Sequence, residues 1–344
     1  MKFLIYGDVH FSTYSSIIRS KGEKYSKRLE NLIKSINWAE DLAIKHNCDE
    51  IISLGDFFDK PDLNSEELTA LTEIKWADIP HSVIVGNHES PHKALKYNSV
   101  NALYNLGFNI ISEVSFRNLE DCSLYFLPYI LEEDRKCLSE YIKLNINSKD
   151  RKIFFSHNDI KAQFGQFLSK EGFEIEDIEQ NSSLFLNGHL HNGSSFCRNG
   201  FNLGNLTGQN FGEDAYKYSH NIYILDTENS SLESYENPYA FNFYQIDFKA
   251  NSNFSELTTL KENSVVSLKC FRNDLDRLKS ILKDCKNITE SRIIVKKEFS
   301  DMEELDSTLE KFNSIDYLSQ FKIFVQNKLG VHPVIEQELN RIIK

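Results

Sequence analysis

Apolar residues follow two kinds of pattern along this chain, and together the patterns predict an α/β fold. Short apolar runs typical of buried strands occupy residues 3–6, 51–54, 83–85, 153–155 and 184–186. Residues 24–45 place apolar side chains at helical spacing, and a second helix is predicted over residues 65–75, with its start at Asn64. After Gly193 the pattern changes to short strands separated by turns. This order of elements predicts a two-sheet α/β sandwich over residues 1–240.

Two smaller zones follow the predicted sandwich. Residues 241–300 contain a strand–helix–strand pattern, with strands predicted at residues 264–270 and 292–296 and a helix at residues 274–283. Residues 301–344 have helical periodicity in two apolar stripes, which Gly330-Val331-His332-Pro333 separates. We therefore predict three parts: residues 1–240, a small α/β domain over residues 241–300, and a helical segment over residues 301–344.

Polar motifs follow the five apolar runs. In chain order they are Asp8-Val9-His10, Gly55-Asp56-Phe57-Phe58-Asp59, Gly86-Asn87-His88-Glu89, His157 and Gly188-His189-Leu190-His191. A lone His after an apolar run is more often an ordinary core or turn residue than a ligand. One metal site, however, explains all five motifs at once, because residues at the carboxyl ends of strands gather at one sheet edge. Asp, Asn and His side chains suit manganese, iron or zinc.

The motifs resemble those of the calcineurin-like metallophosphoesterase superfamily, and within it the nuclease subunits of the SbcCD and meiotic-recombination-eleven type, including phage recombination nucleases. The resemblance implies a metallophosphoesterase sandwich with a small capping domain and C-terminal helices. It also implies one metal ion held by Asp8, His10, Asp56 and His191, and a second that shares Asp56 and adds Asn87, His157 and His189. His88 would not bind metal but would face the scissile phosphate as the catalytic residue.

Two positions, Glu89 and Lys60, bear on which branch of the family the chain resembles, and the roles of Asp59 and Glu89 stay open. Glu89 stands where the nucleases usually carry Asp, whereas Lys60 stands where the related phosphatases expect Arg. Asp59 and Glu89 could orient His88 or could instead bind backbone amides. The nuclease branch is the better match.

The resemblance implies hydrolysis of DNA phosphodiesters with two divalent ions, for which we expect manganese, with magnesium, iron or zinc as alternatives. Such ions lie about 3.5–4 Å apart and activate water. The implied partners are DNA and an SbcC-type coiled-coil ATPase, which C-terminal helices would contact, with a homodimer of this chain inside a heterotetramer. The apolar stripes of residues 301–344 could equally pack on this chain's own capping domain.

The formal net charge of −12 over 344 residues is unusual for a protein that holds DNA unaided, because such proteins gain affinity from Lys and Arg. A basic stretch over residues 19–28 is either a DNA-contacting rim or ordinary solvated charge. The charge therefore suggests that a partner supplies much of the DNA affinity. Six cysteines without Cys-x-x-Cys spacing indicate reduced thiols and a cytoplasmic protein. We expect neither a membrane span nor a signal peptide.

Two alternatives differ in class from the nuclease. The chain could be a stand-alone phosphatase or small-molecule phosphodiesterase of the same superfamily, although such an enzyme needs neither the capping zone nor the apolar C-terminal stripes. It could also be a non-catalytic scaffold, but a scaffold need not keep all seven ligand positions and His88.

Overall fold

The computed structural model describes residues 1–90, 95, 97–164 and 167–296. The strands are β1 (Lys2–Tyr6), β2 (Glu50–Ser53), β3 (His81–Ile84), β4 (Asn109–Ile111), β5 (Ser115–Asn118), β6 (Ser123–Leu127), β7 (Lys152–Ser156), β8 (Ile160–Lys161), β9 (Gln163–Phe164), β10 (Phe167–Leu168), β11 (Phe173–Glu174), β12 (Leu184–Asn187), β13 (Ser194–Cys197), β14 (Gly200–Asn202), β15 (Asn221–Asp226), β16 (Ser231–Glu236), β17 (Asn242–Asp247), β18 (Ser264–Cys270) and β19 (Ile288–Val295). The α-helices are α1 (Lys27–Lys45), α2 (Ser65–Leu71), α3 (Leu138–Leu144), α4 (Ile175–Asn181) and α5 (Leu275–Asp284). Short 3-10 helices occupy Ser99–Leu106, Glu132–Asp134, Ser255–Thr259 and Arg272–Asp274. The predicted C-terminal helical segment lies outside the described residues.

Two six-stranded sheets build the main body. The first has the strand order β16-β15-β1-β2-β3-β4, in which β1 to β4 are parallel and β15 and β16 pair antiparallel. The second has the order β13-β14-β12-β7-β6-β5, in which the four central strands are parallel and each edge strand is antiparallel to its neighbour. Each sheet therefore has several adjacent parallel strands whose carboxyl ends share one edge. The predicted sandwich is confirmed.

Alternation along the strands divides the core into layers. Phe3 and Ile5 of β1 pack with Phe155 of β7 in the apolar layer between the two sheets. The next residues along β1, Leu4 and Tyr6, face the opposite way and pack in the cluster that contains the apolar face of α1. Tyr125, Phe154 and Phe185 of the second sheet likewise pack with side chains of α3 and α4. Because both faces of each sheet are covered, the central strands appear in the sequence as nearly continuous apolar runs.

Local capping signals set where the first two helices begin. Helix α1 begins at Lys27 and not at residue 24, because the Ser26 side chain accepts a hydrogen bond from the Leu29 backbone N–H and acts as the N-cap. Helix α2 begins at Ser65 with a capping box between Asn64 and Glu67, as the sequence predicts. No described helix has the length and apolar content needed to cross a membrane.

A third sheet has the strand order β17-β18-β19. The predicted strand at residues 264–270 and the helix that follows it are confirmed. Strand β19 begins at Ile288, four residues before the predicted start, because its first half carries Thr289 and Glu290 and lacks a clear apolar pattern.

The chain forms two compact units. Among the described residues, the first contains Met1–Ile246, Phe254–Leu268 and Ile281–Arg292, and the second contains Asp247–Asn253, Lys269–Ser280 and residues 293–296. The division into three parts inferred from the sequence stays a prediction.

Candidate metal centre

The loops that follow five strands bring the predicted ligands together. Strands β1, β2 and β3 of the first sheet lead to Asp8, Asp56 and Asn87, and strands β7 and β12 of the second sheet lead to His157 and His189. Backbone hydrogen bonds join the first two loops, since the His10 N–H donates to the Asp56 carbonyl at 2.9 Å and the Asp8 N–H to the Gly55 carbonyl at 3.2 Å. The site is therefore built where the two sheets present their strand ends.

The backbone at the site is held in an uncommon conformation. Asp8, His10 and Asp56 all have φ of 46°, and His189 has φ of 74°. Residues with a Cβ rarely adopt this left-handed region, and the strain costs on the order of 1–3 kcal/mol at each position. Such strain persists where surrounding contacts enforce it, and it is common at functional sites.

The first group of potential ligands contains Asp8, His10, Asp56 and His191. The His10 Nε2 atom lies 3.9 Å from Asp8 Oδ1 and 3.8 Å from Asp56 Oδ2. It also lies 3.1 Å from His191 Nε2. On the far sides of the two rings, His10 Nδ1 donates to Asp59 Oδ1 and His191 Nδ1 donates to Glu213 Oε1, each at 3.0 Å.

These outer hydrogen bonds show that a cation fits the first group. An ionised carboxylate only accepts, so both Nδ1 atoms carry hydrogen and the two Nε2 lone pairs of the neutral rings face each other. That contact is repulsive unless a proton or a metal ion lies between the nitrogens. Burial alone would lower the pKa of His191, but Glu213 and Asp8 raise it. The pKa of His10 is lowered by burial despite the opposing effect of Asp59.

The second group contains Asp56, Asn87, His157 and His189. The His157 Nε2 atom lies 3.1 Å from Asp56 Oδ2 and 3.2 Å from Asn87 Oδ1, and His189 Nδ1 lies 3.0 Å from the same Asn87 oxygen. The other ring nitrogens donate away from the group, His157 Nδ1 to the Leu54 carbonyl at 2.6 Å and His189 Nε2 to Asp159 Oδ1 at 3.1 Å. Acceptor atoms therefore converge here too, as they do around a metal ion whose ligating histidines are oriented by outer acceptors.

Asp56 belongs to both groups. Its Oδ2 atom faces His10 and His157, while its Oδ1 atom accepts the His88 backbone N–H at 3.0 Å. Burial alone would raise the pKa of Asp56, but His157 and His10 hold it well below the usual carboxyl range. Burial alone would lower the pKa of His157, but Asp56 raises it to about 9. The Asp56 carboxylate therefore stays ionised although it is buried, and it contacts one histidine from each group.

Two motif glycines are required by close packing around these ligands. Gly55 has φ of +91°, and a Cβ there would come within 2.4 Å of the His157 ring. A Cβ on Gly86 would lie 2.1 Å from Asp56 Oδ1. The glycines in Gly-Asp and Gly-Asn therefore leave the space in which Asp56 and His157 meet.

His88 lies beside both groups, with 43% of its side chain exposed. Its Nδ1 donates to the Asp59 backbone carbonyl at 3.1 Å, so its Nε2 is the nitrogen left for another contact. Its ring meets the His10 ring edge-on at a centroid distance of 4.8 Å. Geometry alone would also allow His88, with His10 and Asp56, to hold an ion. Its assignment to catalysis stays a prediction.

The open choice for Asp59 and Glu89 now has a structural answer. Asp59 contacts His88 through its backbone carbonyl, while its side chain holds His10. Glu89 is buried and accepts the backbone N–H groups of Phe58 at 3.0 Å and Gly86 at 2.7 Å. Burial and then the charge of Asp56 raise the pKa of Glu89 to about 8. Glu89 therefore binds backbone amides and ties two ligand loops together.

Three residues at the site were absent from the sequence prediction. Asp159 repeats the Asp8-x-His10 spacing in reverse order, as His157-x-Asp159, so a search for carboxylates near each histidine could have found it. Glu213 follows His191 by 22 residues and carries no motif. Arg28 belongs to the basic stretch that was interpreted as either a DNA-contacting rim or ordinary solvated charge, but it is buried and donates to the His10 carbonyl at 3.0 Å. For Arg28 both interpretations were therefore wrong.

The sequence model of the calcineurin-like phosphoesterase family matches residues 1–193, more than half of the chain. The chain belongs to this family. The resemblance seen in the five motifs is thereby confirmed, and the family's dinuclear metal centre agrees with the groups of Asp and His side chains described above. This phosphoesterase is accordingly a dimetal hydrolase by family.

This phosphoesterase is 28% identical over 179 residues to the DNA double-strand break repair protein Mre11 of Sulfurisphaera tokodaii. The match covers 49% of this chain and 45% of that relative, so the chain spans less than half of the relative's length. Among solved structures, the protein TT1561 of Thermus thermophilus has a TM-score of 0.39 at 12% identity, over 68% of this chain and 98% of that one. A dimetal phosphatase from Danio rerio also has a TM-score of 0.39, at 13% identity, over 65% of this chain and 91% of that one.

Replacing Glu213 with Gln tests the outer support of His191. All four neighbours of the carboxylate are donors, namely His191 Nδ1, Asn210 Nδ2, Asn205 Nδ2 and the Gln209 N–H, so the amide group of Gln must face donors in either orientation. We expect manganese affinity at one site to fall about 10–100-fold, measured by calorimetric titration. Glu236→Gln, on an exposed carboxylate, is the control and should bind as the wild type does. Equal affinity in both variants would contradict the assigned role of Glu213.

Proposed function

We propose that this phosphoesterase is a metal-dependent DNA exonuclease/endonuclease subunit that hydrolyses phosphodiester bonds in repair or recombination, together with an SbcC-type ATPase. The observation that carries the hydrolytic part is the position of Asp56 between two histidine groups, with His88 exposed beside them. The similarity to the repair protein Mre11 supports DNA as the substrate. A stand-alone phosphatase is the rival that the experiments below would reveal.

In this proposal each group holds one divalent ion. Asp8, His10, Asp56 and His191 would hold the first ion, and Asp56, Asn87, His157 and His189 the second. When bound, the ions would supply positive charge for the phosphate oxygens and lower the pKa of an attacking water. Manganese suits this mixture of oxygen and nitrogen donors, as do iron and zinc.

His88 supplies the proton in this mechanism. The leaving oxygen of a phosphodiester belongs to a sugar and departs poorly unless it receives a proton. Because Nδ1 donates to the Asp59 carbonyl, Nε2 must face the substrate, and it can donate only when both ring nitrogens are protonated.

Asp56→Asn should abolish manganese-dependent cleavage of linear and hairpin DNA and weaken ion binding at both sites, because the amide lacks the charge that two cations share. The exposed Asp62 offers a matched control, and Asp62→Asn should retain activity. Gel assays with and without the ATPase measure cleavage, and calorimetry measures binding. Wild-type cleavage by Asp56→Asn would end the two-metal assignment. A wild-type protein that hydrolyses only phosphomonoesters would support the phosphatase.

His88→Ala should keep two bound ions per chain while the rate falls by roughly a hundredfold or more, the usual effect of losing an acid–base group. Metal content is measured by elemental analysis and the rate by single-turnover cleavage. His46→Ala, on a histidine at the end of α1, is the control for loss of an imidazole. If His88→Ala retains only one ion, His88 is a ligand and its proposed role is wrong.

The ATPase partner is proposed from charge and from the apolar stripes of residues 301–344. A chain with a net charge of −12 gains little from counterion release on DNA, so a partner would supply basic surface. Deleting residues from Ser314 onward should leave hydrolysis of a chromogenic phosphodiester intact but abolish co-purification with the ATPase and ATP-stimulated DNA degradation.

Point variants separate docking from folding. Val325→Asp, at the middle of the first apolar stripe, should lose the ATPase, whereas Asn327→Asp, which helical periodicity places opposite the stripe, should retain it. A truncated chain that still binds the ATPase would refute the docking proposal. A truncated chain that unfolds would show that the helices pack on this chain itself.

A further inference from the structure

Three buried asparagines stand at the carboxyl ends of adjacent parallel strands in the second sheet. Asn187 ends β12 and Asn202 ends β14, and Asn158 lies two residues past the end of β7. All three are buried. We call Asn158, Asn187 and Asn202 the amide row. Two of its members lie next to predicted ligands in the chain. Asn158 follows His157 directly, and Asn187 precedes His189 by two residues.

Asn158 and Asn187 pair with each other through two hydrogen bonds. The Asn158 backbone N–H donates to Asn187 Oδ1 at 3.1 Å, and Asn187 Nδ2 donates to the Asn158 carbonyl at 2.9 Å. Asn158 Nδ2 in turn donates to the Leu127 and Pro128 carbonyls at 3.2 and 2.9 Å. The pair therefore joins the loop of His157 to the start of the loop that carries His189.

Asn202 extends the row to the stretch between His189 and His191. Its Nδ2 atom donates to the Leu190 carbonyl and, at 3.1 Å, to the Asn192 carbonyl. Its Oδ1 atom accepts from Asn187 Nδ2 at 3.3 Å, and the same Nδ2 donates to the Gly188 carbonyl at 2.7 Å. The row thus contacts backbone beside all three histidine ligands of the second sheet.

We propose that the amide row is a positioning device that fixes the separation of the His157 and His189 loops, and that Asn187 is its central residue. A side-chain amide is required at position 187 because Oδ1 must accept while the two hydrogens of Nδ2 are shared among three oxygens. Aspartate has nearly the same shape but would place a second acceptor against the Asn158 carbonyl, the Gly188 carbonyl and Asn202 Oδ1. Repulsion would then move apart two loops whose histidines meet the same Asn87 oxygen.

The inference rests on the proposed metal centre, and its test uses the full chain with manganese alone. Asn187→Asp should bind one ion with wild-type affinity and the other about 10–100-fold more weakly, the scale seen when an outer support of a ligand is lost. Calorimetry gives the two affinities. Electron paramagnetic resonance should show the spin-coupled manganese pair in the wild type and isolated manganese in Asn187→Asp at the same metal concentration.

Asn199→Asp is a matched control because Asn199 is a buried amide just before the opposite end of β14, where Nδ2 donates to the Ile178 and Ser182 carbonyls. It should keep the coupled pair even if its thermal unfolding temperature without metal falls as much as that of Asn187→Asp. Asn202→Asp is the second test variant, for use if Asn187→Asp fails to fold. It should also lose the coupled pair.

Two results would overturn the positioning role. The first is wild-type affinity for both ions in Asn187→Asp and Asn202→Asp. The second is an equal loss of the coupled pair in Asn199→Asp, which would make the effect one of general stability. A wild-type chain that binds fewer than two ions would instead refute the metal centre itself, and the inference with it.

Discussion

The buried carboxylate of Asp56 is the constraint on which the rest of the site depends. A charge removed from water is costly unless opposite charge or hydrogen-bond donors replace the lost solvation. Around Asp56 this compensation comes from His10 and His157 on either side and from the His88 N–H. Gly55 and Gly86 leave room for the arrangement. Because the two histidines belong to different sheets, the carboxylate links the sandwich halves electrostatically, and two cations would complete the same link.

Around this carboxylate, ring orientation depends on a layer of oxygen acceptors. Asp59, Glu213, Asp159 and the Leu54 carbonyl each accept a hydrogen bond from one imidazole nitrogen, so the opposite nitrogen of each ring faces the site. The layer adds negative charge close to the ligands, which strengthens attraction for cations where water is scarce. The left-handed backbone of Asp8, His10 and Asp56 belongs to the same arrangement.

The sequence predicted the site best where a residue that can bind metal directly follows a strand. Asp8, Asp56, Asn87, His157 and His189 each follow an apolar run, and periodicity locates such runs because strands covered on both faces are apolar throughout. Glu213 could not be found this way, since it acts across a loop and only the folded chain brings it to His191. Arg28 was misassigned because a basic residue near other basic residues resembles solvated surface. Its burial follows from hydrogen bonding to the strained His10 loop, which no linear pattern encodes.

The site accounts for hydrolysis of a phosphate ester more directly than for the choice of ester. In the proposed mechanism the ligands and His88 act on the phosphate and the leaving oxygen, groups that DNA shares with smaller substrates. Selection of DNA would then depend on surfaces beside the exposed His88 and on a partner that binds DNA. Ions at the centre would offset the acidic charge locally, but screening limits their reach to about 8 Å in physiological salt. If the chain acts on DNA as proposed, it would therefore cleave the phosphodiester at its metal centre and would depend on a basic partner to hold the polymer.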